Sequence, residues 1–304
     1  MRLIDIPTSG KDYTLVLHGG AGGRLKEFSA QEQAAYSDGL TEAYEAGAAV
    51  LKTGGTALDA VCATVEQLEN NPLFNAGRGA ALTAQGTAEL DAAVMTGNGH
   101  AGAVAVSRHA RNPIQLARKV LEESEHVLLV SPSEELLAGW GLEAVEPDYF
   151  VTPARLQQLA AVQSKELTGS RHGTVGAVAV DHLGNLAAAT STGGMVNQHE
   201  GRVGDTPIIG AGTFASGGVV AVSCTGTGEA FIEGAVAHEI HARMRYAGTN
   251  LPDAVQATMI AELDSRGADG GIIAVGADGR VCVAHNSPDM FAAFEDAGKL
   301  TTWV

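Results

Sequence analysis

Apolar residues in the second half of the chain occur in short runs of small and β-branched side chains, separated by glycine-containing turns. The runs 174–180 and 186–192 flank one such turn, and this pattern predicts a β-hairpin. The segment 271–285 has the same character and predicts a second hairpin. Further runs that are typical of buried strands lie at 13–17, 80–83, 88–95, 101–107, 127–130, 208–214 and 219–224.

Longer segments show apolar residues at helical spacing. Residues 29–52 form one such segment, and the glycines at 54 and 55 predict where the helix ends. Thr56 and Asp59 have the spacing of a capping box, which predicts a second helix that reaches about Leu68. Other helices are predicted at 112–123, 133–139, 229–246 and 252–263.

The order of these elements favours an α+β fold over alternating βαβ units. Hairpins dominate and the helices come in consecutive pairs, so we expect mainly antiparallel sheets packed on each other with helices outside. A chain of 304 residues is long enough for one large domain or two ordinary ones.

Composition and charge exclude several classes of protein. The formal net charge is −16 and no basic run is present, so we expect no nucleic-acid partner. No apolar stretch reaches the roughly 18 residues that a membrane-spanning helix needs. Cys62, Cys224 and Cys282 lie far apart, which predicts buried free thiols in a reducing compartment. With no apolar leader at the N-terminus, these features predict a cytoplasmic protein.

Thr174 stands at the head of the predicted hairpin, directly after a polar tract. The tract, about residues 154–173, has no strong apolar face and is predicted to be a mobile linker. If the chain were cut after Gly173, Thr174 would carry a free α-amine, and such a residue combines a nucleophile with its own base. The amine titrates near pH 7.7–8.0, roughly, so much of it accepts a proton at neutral pH. Threonine is also common in ordinary strands, so this chemistry needs support from the rest of the chain.

Several separated motifs together resemble the plant-type asparaginases, which are also called isoaspartyl peptidases. They occur in the expected order along nearly the whole chain, at 18–22, 71–77, 89–92, 172–178, 190–194, 201–205 and 224–229. The resemblance implies the four-layer αββα sandwich of the N-terminal nucleophile hydrolases, formed by a single domain of residues 1–304. It also implies that the precursor cleaves itself between Gly173 and Thr174, giving an α chain of residues 1–173 and a β chain of residues 174–304.

The resemblance assigns the catalytic roles. Thr174 would attack the side-chain amide of L-asparagine, or the isopeptide bond of a β-aspartyl dipeptide, and form an acyl-enzyme. The hydroxyl of Thr192 would orient this nucleophile. The hydroxyl of Thr225 and the backbone N–H of Gly226 would form the oxyanion hole, a pair of preorganised donors. Both precede the helix predicted from Glu229, whose N-terminus favours negative charge.

The resemblance also implies a site for an amino-acid-like substrate. Arg202 would pair with the substrate α-carboxylate through its planar fork, and Asp205 would pair with the α-ammonium. On their own these two residues would be interpreted as a surface ion pair. The order of the motif and the two charges of the substrate favour the binding role. The other substrate-binding positions are Asn75, Thr225, Gly226 and Gly228.

The loop after the second predicted helix matches the sodium-binding loop of the family. The resemblance implies that sodium is ligated by the backbone carbonyls of Leu68, Glu69, Asn71, Phe74, Ala76 and Arg78. Carbonyl oxygens suit a hard cation. No cofactor is expected for catalysis, and the resemblance implies a homodimer of αβ units that acts on small-molecule substrates.

Two alternatives differ from this interpretation. A glycosylasparaginase-like amidase would typically carry aspartate before the nucleophile, whereas this chain has Gly173. A catalytically silent family member that acts as a binding protein would not need to retain Thr174, Thr192, Arg202, Asp205 and Thr225 together. Asp91 lies in the motif at 89–92, and the sequence leaves open whether it is structural or belongs to the site.

Overall fold

A computed structural model describes residues 1–8, 12–22, 28–165 and 173–304, and residues 9–11, 23–27 and 166–172 lie outside this part. Two β-sheets stack face to face, and helices cover the outer face of each sheet. The predicted αββα sandwich of the α+β class is therefore confirmed.

The strands form one sheet of eight and one of five. Their bounds are β1 Arg2–Ile6, β2 Thr14–Ala21, β3 Leu90–Thr96, β4 Ala101–Ser107, β5 Leu128–Val130, β6 Val175–Val180, β7 Leu186–Thr192, β8 Thr213–Ser216, β9 Val220–Gly226, β10 Gly270–Gly276, β11 Val281–His285, β12 Met290–Asp296 and β13 Lys299–Trp303. The larger sheet has the order β13-β12-β2-β6-β7-β3-β4-β5, and the smaller has the order β1-β11-β10-β9-β8. Neighbouring strands pair antiparallel, except that β5 pairs parallel with β4.

The helices pack outside the two sheets. Their bounds are α1 Ala30–Lys52, α2 Ala57–Asn70, α3 Pro113–Glu123, α4 Glu134–Gly139, α5 Pro153–Gln163, α6 Gly228–Gly234, α7 Val236–Ala247 and α8 Leu251–Thr258. Helices α1 to α3 bury apolar residues against the eight-stranded sheet, and α6 to α8 do so against the five-stranded sheet.

Local sequence explains where the first two helices begin. Ser29 and Glu32 form a reciprocal capping box at the start of α1. The side chain of Thr56 accepts a hydrogen bond from the backbone N–H of Asp59 at the start of α2. Both predicted helices are confirmed, and α2 leads directly into the loop that begins at Asn71.

The hairpin that follows Gly173 lies at the centre of the larger sheet. The predicted hairpin is confirmed: strand β6 pairs with β7 in the register Val175 to Ser191. Alternate side chains of β6 face opposite sides, so Val178 packs in the core between the sheets while Ala177 packs under the helices. Both faces are buried, and the strand contains no polar side chain.

Three predicted elements differ from the structure. Residues 80–83 form no strand, because the N–H of Ala81 donates instead to Oδ1 of Asn75. Residues 208–212 turn back on themselves, with two backbone N–H groups donating to the carbonyl oxygen of Asp205, so β8 begins only at Thr213. The single helix predicted over 229–246 is two helices, since Ala235 takes a left-handed conformation with φ 44° between them.

The structure also contains elements that the sequence interpretation missed. Strand β1 adds to β11 at the edge of the smaller sheet, and β12 with β13 forms a closing hairpin in the larger sheet. Strand β12 pairs with β2, and β2 in turn pairs with β6 of the central hairpin.

Helix α5 occupies the first part of the predicted linker, and Leu159 on it is buried. Residues 166–172, the rest of that tract apart from Gly173, lie outside the described residues. Cys62, Cys224 and Cys282 are buried free thiols, as predicted. Within the described ranges, no helix combines the length and apolar character needed to cross a membrane.

Candidate active site

Thr174 lies immediately before β6 and is buried, with 5% of its surface exposed. Its hydroxyl donates a hydrogen bond to the hydroxyl of Thr192, with 3.2 Å between the two oxygens. Thr192 is the last residue of β7, and the β6–β7 pairing brings it beside the start of β6. The side chain of Thr192 also accepts the backbone N–H of Gly194, which fixes its position. The structure therefore brings together two of the predicted catalytic residues.

The carbonyl group of Gly173 is surrounded by donors. Nδ2 of Asn75 donates to this oxygen at 2.6 Å, and Oγ1 of Thr192 donates to it at 3.0 Å. Asn75 is itself held in place, because it also donates to the carbonyl of Gly194 and accepts from the N–H of Ala81. Two donors aimed at one carbonyl oxygen form the arrangement that stabilises an oxyanion when the carbonyl carbon is attacked.

A buried network of side chains holds the backbone of Thr174 from the opposite side. Nδ1 of His18 lies 2.9 Å from the carbonyl oxygen of Thr174, and Nε2 lies 2.9 Å from Oγ of Ser223 on β9. The hydroxyl of Thr190 continues this network from Ser223 to Thr213. Burial lowers the pKa of His18 to about 3, so its imidazole is neutral at physiological pH.

Gly176 makes room for this network. A Cβ atom at this position would lie 2.0 Å from Oγ of Ser223 and 2.6 Å from Nε2 of His18. Both contacts are far inside van der Waals distance, so a larger residue would displace the imidazole or the hydroxyl. The glycine two residues after Thr174 is therefore a requirement of the site rather than of the strand.

Thr225 and Gly226 reach the site from the smaller sheet, at the end of β9. The fully buried side chain of Thr225 accepts the N–H of Ala21 at 3.2 Å. The preceding residue, Gly20, passes so close to Thr174 that a Cβ atom there would lie 3.3 Å from the nitrogen of Thr174. Adjacent residues of β2 thus lie beside both the predicted nucleophile and the predicted oxyanion donor. Gly226 has φ 145°, a conformation that favours glycine.

Arg202 keeps part of its guanidinium available for a ligand. Nε and Nη2 donate to the carboxylate of Glu229, and Nη1 donates to Oε1 of Gln198. A guanidinium has five N–H donors. The hydrogen bonds made by the described residues use three of them, which leaves one N–H on each terminal nitrogen. That pair can bind a carboxylate in bidentate fashion.

Asp205 is buried beside Arg202, and within the described residues its Oδ2 atom has no hydrogen-bond partner. Burial raises the pKa of this carboxyl to about 7, while the charge of Arg202 lowers it. Gly228 lies between the two side chains, since a Cβ atom there would be 2.9 Å from Oδ1 of Asp205 and 3.0 Å from Nη2 of Arg202. A buried carboxylate oxygen without a hydrogen-bond partner fits a cationic ligand such as an ammonium group.

The loop from α2 to Arg78 carries Asn75 and the predicted sodium ligands. The carbonyl of Leu68 accepts the N–H of Asn71, and that of Glu69 accepts the N–H of Arg78. Each carbonyl has a second lone pair, so these bonds leave acceptors for a hard cation. The Glu69 side chain is buried and accepts from Ser191 and the N–H of Ile114, and burial raises its pKa to about 8. The carbonyl-rich loop fits a sodium ion chemically.

The sequence interpretation missed several residues of the site. His18 contacts the carbonyl of Thr174 across 156 residues of sequence, and Ser223 contacts His18 across 205 residues. Gln198 connects Arg202 to the segment that follows Thr192, because its Oε1 accepts from Arg202 and from the N–H of Met195. The glycine-rich segment after His18 was the one available signal, since it indicates close backbone approach.

A profile of the asparaginase family matches residues 11–304. The chain belongs to the asparaginase family. Within this asparaginase family, an isoaspartyl peptidase of Salmonella typhimurium is 46% identical over 302 residues, 95% of this chain and 96% of that protein. An isoaspartyl peptidase of Escherichia coli is 44% identical over 302 residues, 95% of this chain and 94% of that protein. An isoaspartyl peptidase/L-asparaginase of Danio rerio is 38% identical over 295 residues, 94% of this chain and 93% of that protein.

Proposed function

We propose that the protein is a self-processing threonine amidohydrolase that converts L-asparagine to L-aspartate and ammonia and cleaves β-aspartyl dipeptides. The observation that carries this proposal is the set of hydrogen bonds around the Gly173–Thr174 peptide bond. The hydroxyl of Thr174 is hydrogen bonded to Thr192, and the carbonyl of Gly173 accepts from Thr192 and Asn75. Membership in the asparaginase family and the names of the relatives support the same activity.

The first proposed step is cleavage of the chain by its own hydroxyl. Oγ1 of Thr174 attacks the carbonyl carbon of Gly173, and the developing negative charge on oxygen is stabilised by Asn75 and Thr192. The proton of the hydroxyl passes to the amide nitrogen of Thr174 as that nitrogen leaves. Breaking the C–N bond leaves Gly173 as an ester on Thr174 and gives Thr174 a free amine. Water then hydrolyses the ester, which leaves a carboxylate on Gly173 and restores the hydroxyl.

The second proposed step repeats this chemistry on the substrate. The amine of Thr174 takes the hydroxyl proton, Oγ1 attacks the side-chain amide carbon, and the proton passes to the leaving ammonia or amine. Thr225 and the N–H of Gly226 donate to the oxyanion. Water hydrolyses the β-aspartyl ester to release aspartate. Arg202 and Asp205 hold the α-carboxylate and the α-ammonium, with Gly228 leaving space between them.

Freshly purified protein tests this proposal by intact-mass analysis and by ammonia release. We expect conversion to two pieces, the second beginning at Thr174, together with release of ammonia from L-asparagine. The Thr174→Ala variant serves as the matched control and should stay whole and inactive. A wild-type chain that stays whole under folding conditions, and that hydrolyses neither L-asparagine nor a β-aspartyl dipeptide, would support the catalytically silent alternative instead.

A glycosylasparaginase-like activity is the second alternative, and the glycine before Thr174 argues against it. Assay of an N-glycosylated asparagine beside L-asparagine and a β-aspartyl dipeptide distinguishes the three substrates. Turnover of the glycosylated compound at rates above the other two would favour that alternative.

We further propose a structural sodium ion held by the carbonyls of Leu68, Glu69, Asn71, Phe74, Ala76 and Arg78. The loop also carries Asn75, so the ion would position that side chain rather than take part in the chemistry. Replacing sodium by choline at constant ionic strength should therefore lower the melting temperature.

We also propose that the protein is a homodimer of αβ units and that it is located in the cytoplasm. Three buried free thiols support a reducing compartment.

A further inference from the structure

Two buried carboxylates at the start of β3 contact the loop that carries Arg202 and Asp205. Glu89 is 2% exposed and Asp91 is 3% exposed. Oε2 of Glu89 accepts the backbone N–H of Gly201 at 2.8 Å, and Oδ2 of Asp91 accepts the N–H of Gly204 at 3.1 Å. These two amides lie on either side of Arg202 in the chain. The carboxylates therefore hold the backbone directly before and shortly after the predicted carboxylate-binding side chain.

The other oxygen of each carboxylate is bound to a fixed point on or next to β4. Arg108 forms a salt bridge with Oε1 of Glu89. Oδ1 of Asp91 accepts the N–H of Val106 at 2.9 Å. Val106 lies at a β-bulge and has φ 55°, a strained conformation for a β-branched residue. All four carboxylate oxygens thus have donors, and together they connect the bulge region to the loop.

We propose that Glu89 and Asp91 are positioning residues for substrate recognition, which hold the loop 199–205 so that Arg202 and Asp205 present their charges to the substrate. This inference rests on the proposed function and deepens it. Hydrogen bonds from N–H groups to carboxylates are stronger than those to neutral acceptors, which suits a loop that turns at Gly201 with φ 76°. The negative charge of Asp91 also attracts the guanidinium of Arg202.

The geometry separates this role from the chemistry at Thr174. Asp91 lies opposite Thr192 in the β3–β7 pairing, yet both of its oxygens bind backbone N–H groups of other segments. Neither carboxylate contacts Thr174 or the Gly173 carbonyl through any hydrogen bond of the described residues. Loss of one anchor should therefore weaken substrate binding while self-cleavage proceeds.

Asp91→Asn and Glu89→Gln test the proposal in the full-length protein. An amide keeps the shape of the carboxylate but turns an NH₂ group toward one of its two donors. We expect the KM for L-asparagine to rise at least tenfold in each variant, with kcat changed less than threefold and self-cleavage complete. The proposal would be overturned if KM were unchanged while kcat and the rate of self-cleavage fell by the same factor.

Asp181→Asn is the matched control. Asp181 is 4% exposed and also accepts backbone N–H groups, those of Ala57, Leu183 and Asn185, but it lies at the opposite end of β6 from Thr174. Its replacement should lower the melting temperature without raising KM. A KM increase in Asp181→Asn equal to that in Asp91→Asn would assign the effect to general destabilisation and overturn the proposal.

Two further measurements make the outcome decisive. Hydrogen exchange in the segment 199–205 should be faster in Asp91→Asn than in the wild type, and this holds even if the wild type hydrolyses none of the proposed substrates. Unchanged exchange would overturn the anchoring. If the only role of Asp91 were to stabilise the β-bulge at Val106, the Val106→Gly substitution would relieve the backbone strain and return the KM of Asp91→Asn to the wild-type value. Under our proposal the double variant keeps the raised KM.

Discussion

Nδ1 of His18 lies 2.9 Å from the carbonyl oxygen of Thr174, the residue that we propose as the nucleophile. A carbonyl oxygen only accepts, so this contact places the proton on Nδ1 and makes Nε2 an acceptor for the hydroxyl of Ser223. The network therefore assigns a single tautomer to a neutral, buried imidazole. His18 fixes the backbone of Thr174 and has no free lone pair with which to accept the hydroxyl proton of Thr174.

Ser223→Ala removes the donor to Nε2 of His18 and leaves a buried acceptor without its partner. We expect the free energy of unfolding to fall by about 1–3 kcal/mol. Denaturant titration should be done in the Thr174→Ala background, where the chain stays in one piece. Ser164→Ala, at an exposed hydroxyl, is the control and should change little. Equal stability of the two variants would contradict the role of the network.

Asn75→Asp separates the two functions of the Asn75 side chain. An ionised aspartate can still accept the N–H of Ala81, but it can donate neither to the carbonyl of Gly173 nor to that of Gly194. Loss of one oxyanion donor typically slows a reaction by about 100- to 1,000-fold. We therefore expect self-cleavage of the variant to be slower by that factor while the protein folds. Time-resolved intact-mass analysis measures it, and cleavage at the wild-type rate would be evidence against the assignment.

Gly228→Ala places a methyl group between Arg202 and Asp205. The contacts of 2.9 and 3.0 Å predicted for its Cβ atom leave no room for the α-carbon of an amino acid. We expect KM for L-asparagine to rise at least 100-fold, roughly, which corresponds to about 2.7 kcal/mol of lost binding. Self-cleavage should be complete. Gly139→Ala is the control, because a Cβ atom there meets no neighbour within 4 Å. An unchanged KM in Gly228→Ala would exclude the proposed binding position.

The buried carboxyl of Asp205 predicts a pH dependence. Its pKa is raised by burial to about 7, so acid protonates it in the free enzyme and removes the partner of the substrate ammonium. We expect the fall in kcat/KM for L-asparagine that begins with protonation of the Thr174 amine to become steeper as pH drops below about 7. Bound ammonium favours the ionised carboxylate, so the corresponding fall in kcat should occur at lower pH.

Succinamate, which lacks the α-ammonium, provides the control for this pH effect. The pH dependence of kcat/KM for succinamate should report only the ionisation of the Thr174 amine, which titrates near pH 8, roughly. Identical acid limbs for succinamate and L-asparagine would show that Asp205 does not bind the ammonium. An Asp205→Asn variant should give L-asparagine the profile of succinamate.

Local sequence predicted the elements whose signal lies within a few residues. The helix start near Ser29, the cap at Thr56 and the small residues of β6 are of this kind, and each is confirmed. The break at Ala235 gave no such signal. Gly234 precedes the break, but Ala235 is the residue that takes the left-handed conformation, and a Cβ atom at position 234 would lie 2.8 Å from Oε2 of Glu262.

The candidate site was predicted in part for the same reason. Thr174 and Thr192 lie at the two ends of one hairpin, so their proximity follows from its register. The hydrogen bond from Asn75 to Gly173 spans 98 residues, and the bond from His18 to Ser223 spans 205. The first contact depends on how the loop after α2 packs on the larger sheet, and the second on how the two sheets stack. No local pattern specifies either.

The strand order of the larger sheet has a consequence for the cleaved protein. Strands β6, β7, β12 and β13 follow Gly173 in the chain, whereas β2 to β5 precede it, so three ladders of that sheet join the two proposed pieces. The β1–β11 pairing joins them again in the smaller sheet. Refolding of the intact precursor is a first-order process, but after cleavage two chains must meet before either can complete a sheet. Maturation would therefore make recovery from unfolding depend on protein concentration, and the mature enzyme would persist through its slow unfolding rather than through its ability to refold.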